Sequence, residues 1–182
     1  MEKFAVLALL RRFQPTGEAE RAMHVAMLAF VERAAEPWGR REREGHLTAS
    51  AWVVNPTRDR VLLVHHAKLE RWFQPGGHIE PGDDTLADAA LREAREETGL
   101  TALRLESDAL FDVDVHTIPA RGDAPEHLHY DCRFLIVADT AEAPVCSSES
   151  HDVRWFGLGK ALAIAPEAST RRMVAKTQRG RV

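Results

Sequence analysis

The stretch GGHIEPGDDTLADAALREAREETGL, from Gly76 to Leu100, carries most of the chemical information in this chain. It begins as a glycine-containing loop and continues as an alanine-rich helix. Glu93, Glu96 and Glu97 are spaced i, i+3 and i+4, so their carboxylates project from one side of that helix. Carboxylates this close repel one another, and a hard divalent cation with oxygen ligands would relieve the repulsion. The stretch therefore predicts a metal-binding helix after a loop whose glycines let backbone groups approach a ligand.

Both ends of this helix carry recognisable signals. Asp83, Asp84 and Thr85 are each able to accept hydrogen bonds from the free N–H groups of the first turn. Gly99 is suited to the left-handed conformation that commonly follows the last turn. Arg92, next to the glutamates, is able to hold a carboxylate in place through a forked hydrogen bond.

The composition is that of a globular protein. The chain has 182 residues, of which 45% are hydrophobic and 29% are charged, and a formal net charge of -4. This length suits one domain of ordinary size, and the acidic balance argues against broad nucleic-acid binding. Cys132 and Cys146 do not suggest a disulfide framework, so the cytoplasm is the expected compartment. No stretch approaches the roughly 18 apolar residues of a membrane span.

The order of predicted elements indicates an α/β protein with an N-terminal helical extension. Two apolar helical stripes between Glu2 and Arg33 are separated at Pro15–Gly17. A connector at 40–44 and a polar loop at 119–127 separate further elements. Strands are predicted at 47–54, 61–66, 110–118, 130–138 and 153–156, and closing helices at 159–165 and 167–177. A mixed sheet with helices on both faces is the simplest packing, with the extension at 1–45 and the main domain at 46–182.

Two sets of charged residues are expected to face solvent. In the strand at 110–118, Asp112 and Asp114 alternate with apolar residues, as in a half-buried strand. Near the C-terminus, five basic residues are expected on a solvated helix face and a frayed tail. They are Arg171, Arg172, Lys176, Arg179 and Arg181.

The stretch from Pro75 to Leu100 resembles the signature of the Nudix hydrolases. That signature is a glycine, five residues, a glutamate, seven residues, and then Arg-Glu-apolar-x-Glu-Glu-x-Gly-apolar. The second half matches this chain residue for residue from Arg92 to Leu100. The signature covers about a seventh of the chain, and its many fixed positions make it specific. The resemblance implies the Nudix α/β/α sandwich.

The first half of the signature departs from the family pattern. Counting from Gly77 reaches Asp83 at the position of the family's loop glutamate, and eight residues instead of seven then precede Arg92. Counting back from Arg92 reaches Asp84 instead. One residue is inserted at the junction between loop and helix, so either aspartate is a candidate for the missing glutamate.

The resemblance also implies the chemistry of the site. Glu93, Glu96 and Glu97, with the carbonyl of Gly77, would bind Mg²⁺ or Mn²⁺, and Arg92 would orient Glu93. These four side chains are the predicted catalytic residues. A bound cation would reverse the local charge for a polyanionic diphosphate and activate a water molecule.

The general base is left open by the sequence. One of the helix glutamates is a candidate to take the proton from water. The loop acids Glu149 and Asp152 are candidates for a further ligand or for the base, because functional groups are common on loops.

The histidines do not have the spacing expected of a zinc site. No H-x-x-x-H pair lies on a predicted helix, so surface or packing roles are expected instead. These histidines are His65, His66, His78, His116, His127 and His129.

Three residues are predicted to contact substrate: His78 inside the glycine loop, His129 near the polar loop, and Phe73 before the glycines. Phe73 and its neighbour Trp72 have two interpretations. They either pack in the core beside the glycines or line a ligand pocket.

The predicted function is a metal-dependent hydrolase that cleaves the pyrophosphate bond of a nucleoside diphosphate linked to another moiety. The alternative is a Nudix-like nucleotide-binding or regulatory module without catalysis. The expected partner is a small-molecule nucleotide or other diphosphate, with no nucleic acid and no membrane, and the chain is expected to be a monomer or homodimer. The substrate is not predicted.

Overall fold

The computed structural model describes residues 1–40, 42–122 and 125–180, and these form five helices and eight strands. The helices are α1 (Lys3–Arg12), α2 (Glu18–Arg33), α3 (Leu86–Thr98), α4 (Leu158–Ile164) and α5 (Ala168–Arg179). The strands are β1 (Gly45–Val54), β2 (Arg60–His66), β3 (Arg71–Phe73), β4 (Gly76–His78), β5 (Leu103–Leu105), β6 (Asp112–Ile118), β7 (His127–Ala138) and β8 (Ser150–Gly157).

Some predicted segments lie partly outside the described residues. The connector at 40–44 includes residue 41, the polar loop at 119–127 includes residues 123 and 124, and the basic tail includes Arg181. Among the described helices, none combines the length and hydrophobicity that a membrane span requires.

Strand β1 is the centre of one mixed sheet. It runs parallel to β7 over its whole length, from Gly45 beside Leu128 to Val54 beside Val137. It also pairs antiparallel with β2 near Val54 and with β4 near Ser50. Strands β5 and β6 pair with β7, while β3 and β8 pair with β2. All ten residues of β1 are buried, as expected for a strand covered on both faces.

Successive side chains of β1 enter opposite layers. Leu47 and Ala49 share a core cluster with Ala87, Ala89 and Ala90 of α3. Trp52 and Val54 share a different cluster with Met173 and other buried residues of α4 and α5. Helices therefore cover both faces of the sheet, and the predicted α/β/α sandwich is confirmed.

Helices α1 and α2 pack into the same core as α3. Leu10 and Met27 are fully buried and belong to the cluster that contains Leu47. The Phe30 ring stacks on Tyr130 with its centroid 4.1 Å away. The two helices and the break between them occur where the sequence predicts, while the domain division at residue 45 stays a prediction.

Three short strands differ from the sequence prediction. Strands β3 and β4 lie in a segment predicted as loop, and β5 was not predicted. Each has three residues, too few for a periodic pattern. Pairing with β2, β1 and β7 makes them strands, so their conformation depends on tertiary neighbours.

The expectation that Asp112, Asp114, Arg172 and Lys176 face solvent is wrong. Asp112 is fully buried and accepts hydrogen bonds from Arg172 at 2.7 and 2.8 Å. Lys176 Nζ lies 2.9 Å from the Asp112 carboxylate. The side chain of Arg133, on β7, also contacts Asp112 and Asp114. Burial of both signs together is what allows charged side chains inside the protein.

We expect Asp112→Ala to lower the free energy of unfolding by about 3–5 kcal/mol, because three cationic side chains would lose a shared buried partner. Urea unfolding followed by circular dichroism measures this loss. Asp108→Ala removes an exposed aspartate nearby and serves as the control. Equal stability of the two variants would contradict the assigned role of Asp112.

Candidate active site

Arg92 joins the glycine loop to helix α3. Its Nε and Nη2 atoms donate to the two carboxylate oxygens of Asp83, each at 3.0 Å. Nη2 also donates to the carbonyl of His78 at 2.8 Å. Nη1 donates to Glu93 and to Glu96, each at 3.0 Å. One guanidinium thus fixes the loop and two helix glutamates relative to one another.

The structure resolves the choice between Asp83 and Asp84. Asp83 is buried, with 6% exposure, and accepts the fork of Arg92 and the backbone N–H of Glu80. Asp84 is exposed. Burial alone would raise the pKa of Asp83, but the Arg92 and Glu80 hydrogen bonds outweigh burial and lower it. Asp83 therefore takes the loop carboxylate position.

The inserted residue is accommodated before the helix begins. Thr85 is the N-cap residue, and its side chain accepts from the backbone N–H of Asp88. Gly99 ends the helix with a φ of 66°, in the left-handed region, as predicted. The helix from Leu86 onward keeps regular spacing, so the insertion does not disturb its glutamates.

Glu93 lies directly against the glycine loop. A Cβ atom on Gly77 would lie 2.7 Å from the Glu93 carboxylate, so any larger residue would displace that carboxylate. Burial raises the pKa of Glu93, and the Arg92 hydrogen bond opposes the rise. The absence of a side chain at Gly77 leaves its backbone and the Glu93 oxygens side by side.

Glu97 is the second enclosed carboxylate. It accepts from the backbone N–H of Gly76 at 2.8 Å. Burial raises its pKa to about 7, and the negative charges of Glu93, Glu149 and Glu96 add to the rise. Glu96 is more exposed, with 57% of its side chain accessible. The three predicted glutamates therefore share one site but differ in solvent contact.

Of the two loop acids, Glu149 is the one whose charge affects the carboxylates of this site. Its charge raises the pKa values of both Glu93 and Glu97. Asp152 instead forms an ion pair with Arg154 and accepts from the backbone N–H of Val153. The glutamate from the later loop therefore acts on the helix carboxylates.

The three residues predicted to contact substrate lie in two different parts of the structure. The rings of His78 and His129 lie together, with centroids 5.3 Å apart. Phe73 lies on β3, where its ring faces His66 and the guanidinium of Arg71. Trp72 packs against Phe156 and a core cluster, as the core interpretation expects for that ring.

Sequence reasoning missed His46. Its ring packs against the rings of His78, His127 and His129, at centroid distances of 5.0, 5.1 and 4.8 Å. The packing role expected for His78, His127 and His129 thus takes the form of one cluster of rings. The spacing of His127 and His129 on one strand was a usable signal, because residues i and i+2 share a face. The partner on β1 required the strand register.

The fold and the sequence both have known relatives. The C. elegans Ap4A hydrolase in a binary complex has a TM-score of 0.59 at 22% identity, covering 74% of this chain and 96% of that one. The E. coli dihydroneopterin triphosphate pyrophosphohydrolase has a TM-score of 0.57 at 18% identity, covering 71% and 92%. At these identities the likeness supports the fold alone.

Curated relatives are more similar in sequence. The mouse bis(5'-nucleosyl)-tetraphosphatase [asymmetrical] is 30% identical over 112 residues, which are 61% of this chain and 72% of the relative. A Lactococcus lactis protein named "Probable DHNTP pyrophosphohydrolase" is 34% identical over 99 residues, 53% of this chain. The match to the Lactococcus protein spans 57% of its length.

A family model described as the NUDIX domain matches residues 45–177. The chain therefore belongs to the Nudix family, and the predicted membership is confirmed. The predicted enzyme class, a hydrolase of phosphoric anhydride bonds, is confirmed at the level of the family.

We expect the metal-free protein to lose stability as pH rises from about 5 to about 8 because of Glu97. Its folded pKa is about 7 and its ordinary value is 4.5, so the folded chain binds more protons between these values. The stability contributed by Glu97 is complete below its ordinary pKa of 4.5 and is lost as pH rises through its folded pKa of about 7. The loss is at most about 1.4 kcal/mol per pH unit.

Thermal or urea unfolding with a chelator, across this pH range, measures the effect. Glu97→Gln does not titrate and is the control, because the difference between the two curves isolates this carboxyl from other groups. Parallel curves for the two proteins would contradict the assignment.

Proposed function

We propose that this chain is a divalent-metal-dependent hydrolase that cleaves the pyrophosphate bond of a nucleoside diphosphate linked to another moiety. The observation that carries the proposal is the enclosure of Glu93 and Glu97 against the glycine loop. Burial raises the pKa values of both carboxylates, and repulsion from neighbouring acids adds to the rise. Partly buried carboxylates that repel one another are suited to binding a cation and poorly suited to binding an apolar ligand.

The donor set fits Mg²⁺ or Mn²⁺. Glu93, Glu96 and Glu97 offer carboxylate oxygens, and the backbone of Gly77 lies against Glu93 without an intervening side chain. Hard cations prefer such oxygen ligands. When bound, the cation supplies charge neutralisation for a diphosphate and lowers the pKa of a water molecule.

The other residues of the site orient these ligands. Arg92 holds Glu93 and Glu96 through Nη1, and its ion pair with Asp83 fixes the guanidinium from the opposite side. The N–H of Gly76 holds Glu97. Side chains restrained from several directions need little rearrangement when substrate binds, and this preorganisation favours catalysis.

We assign the proton-accepting role to Glu149 as the leading candidate outside the helix. It follows a polar loop, its backbone carbonyl accepts from Ala67, and its charge acts on Glu93 and Glu97. A carboxylate that is free of the Arg92 network is available to take a proton from water.

The relatives suggest where a substrate search should begin. Their names refer to a bis(5'-nucleosyl) tetraphosphate and to dihydroneopterin triphosphate. Both are small molecules with phosphoric anhydride bonds. His78, His129 and Phe73 remain candidates for substrate contact, and monomer or homodimer and a cytoplasmic location remain predictions.

The competing proposal is a nucleotide-binding module without catalysis. The inserted residue and the aspartate at position 83 favour it, because the family pattern has a glutamate there. The intact contacts from Asp83 to Arg92 weigh against it, since the shorter side chain still reaches the guanidinium at 3.0 Å. Tight nucleotide binding with no turnover under Mg²⁺ or Mn²⁺ would favour the module.

We expect Glu96→Gln and Glu97→Gln to lower kcat by roughly 100-fold or more, because each removes a charged oxygen ligand. The assay is phosphate or nucleotide release from diadenosine tetraphosphate, dihydroneopterin triphosphate, ADP-ribose and nucleoside triphosphates. Activity should require Mg²⁺ or Mn²⁺ and disappear with a chelator.

The matched control is Glu18→Gln, an exposed glutamate in the first turn of α2. It should keep the parent rate. Undiminished turnover in both glutamine variants, or turnover that does not depend on metal, would rule out the proposed hydrolase.

For Glu149→Gln we expect a fall in kcat of roughly 100-fold with little change in Mn²⁺ affinity, because the residue accepts a proton and does not hold the ion. Rate measurements and Mn²⁺ titration separate the two effects. A variant with normal kcat, or one that loses Mn²⁺ affinity in proportion to its rate, would remove Glu149 from this role.

A further inference from the structure

A second group of potential metal ligands lies in the described part of the chain, and it consists of His46, His127 and His129. The ligand atoms of these three histidines all lie within 4.8 Å of one another. None of the three belongs to the carboxylate site around Arg92. We call them the histidine triad.

The register between β1 and β7 brings the three histidines together. His46 on β1 is directly beside His129 on β7, and His127 lies two residues earlier on the same strand. Residues i and i+2 of a strand share a face, so all three rings project to the same side. A Cβ on Gly45 would lie 2.1 Å from the Leu128 carbonyl, so only glycine permits this approach of β1 to β7.

His46 is the least accessible member and lacks polar partners. Its exposure is 4%, and neither ring nitrogen has a hydrogen-bond partner. Buried imidazole nitrogens normally have a hydrogen-bond partner, because burial without one loses the hydrogen bond that water would provide. A ligand that accepts a nitrogen lone pair would satisfy one of the two atoms.

The burial of His46 and His129 suits metal binding. Burial lowers the pKa of His46 to about 4 and that of His129 to about 2. Burial thus favours the neutral imidazole, which is the form that binds a metal ion.

We propose that His46, His127 and His129 form a binding site for a divalent transition-metal ion, with Zn²⁺ the best match. Three imidazoles and an open fourth position fit the tetrahedral preference of zinc. Imidazole nitrogens favour such ions over Mg²⁺, which prefers oxygen. The chain would then hold two metal sites of different chemistry, and His129 would bind a metal ion instead of contacting substrate directly.

The triad also adjoins the loop of the carboxylate site. The ring of His78 packs 5.0 Å from His46 and 5.3 Å from His129, between ring centroids. The backbone carbonyl of the same residue accepts from Arg92. A bound ion would therefore lie next to the start of the glycine loop.

The test is Zn²⁺ binding by the full chain without a histidine tag, after treatment with a chelator. In excess Mg²⁺, equilibrium dialysis with elemental analysis should find one Zn²⁺ per chain, and Co²⁺ should give the visible absorption of a tetrahedral nitrogen site. His127→Gln and His129→Gln should each weaken Zn²⁺ binding by roughly 100-fold or more, because each removes a direct ligand. His151→Gln, which changes an exposed histidine on β8, should bind as the parent does.

Glu97→Gln separates this proposal from the proposed function, because it should lose hydrolysis but retain Zn²⁺. Thermal unfolding of each metal-free variant checks folding, and Zn²⁺ should raise the midpoint of the parent but not of His127→Gln. Equal Zn²⁺ binding by the parent and His127→Gln would overturn the proposal. So would binding of inorganic phosphate, in place of metal, that His127→Gln abolishes.

Discussion

The site depends on one guanidinium more than on any other group. Arg92 contacts Asp83 and the His78 carbonyl on the loop, and Glu93 and Glu96 on the helix. These segments would otherwise be free to separate, because acidic groups at short range repel. The planar fork of arginine matches a carboxylate geometrically, and lysine has no equivalent fork. The position of the candidate metal ligands therefore follows from a charge that binds no metal itself.

Strand β1 places two kinds of polar chemistry near the same loop. Its pairing with β4 brings Gly76 and Gly77 beside the carboxylate oxygens of α3. Its pairing with β7 sets the imidazole rings of His46 and His129 side by side. Because hard cations select oxygen and borderline ions select imidazole, one strand is able to support two sites that do not compete for the same metal.

Farther along the same sheet, buried ion pairs stabilise the fold. Asp131 accepts from Thr48 and Ser50 of β1 and pairs with Arg133, which is almost fully buried. Arg133 continues the network to Asp112 and thus to the basic residues of α5. Removing one member would leave others unpaired in a low-dielectric interior, so the network ties α5 to the sheet.

The sequence by itself determined the family, the sandwich of helices and sheet, and the glutamate-bearing segment from Arg92 to Leu100, because those features depend on local periodicity and on fixed spacing. It left Asp83 and Asp84 equivalent, since spacing alone does not reveal which carboxylate reaches an arginine. It also placed Lys176 in solvent and overlooked His46. Tertiary structure decided these points, because strand register and helix docking bring together residues as distant as His46 and His129, and local pattern does not encode such contacts.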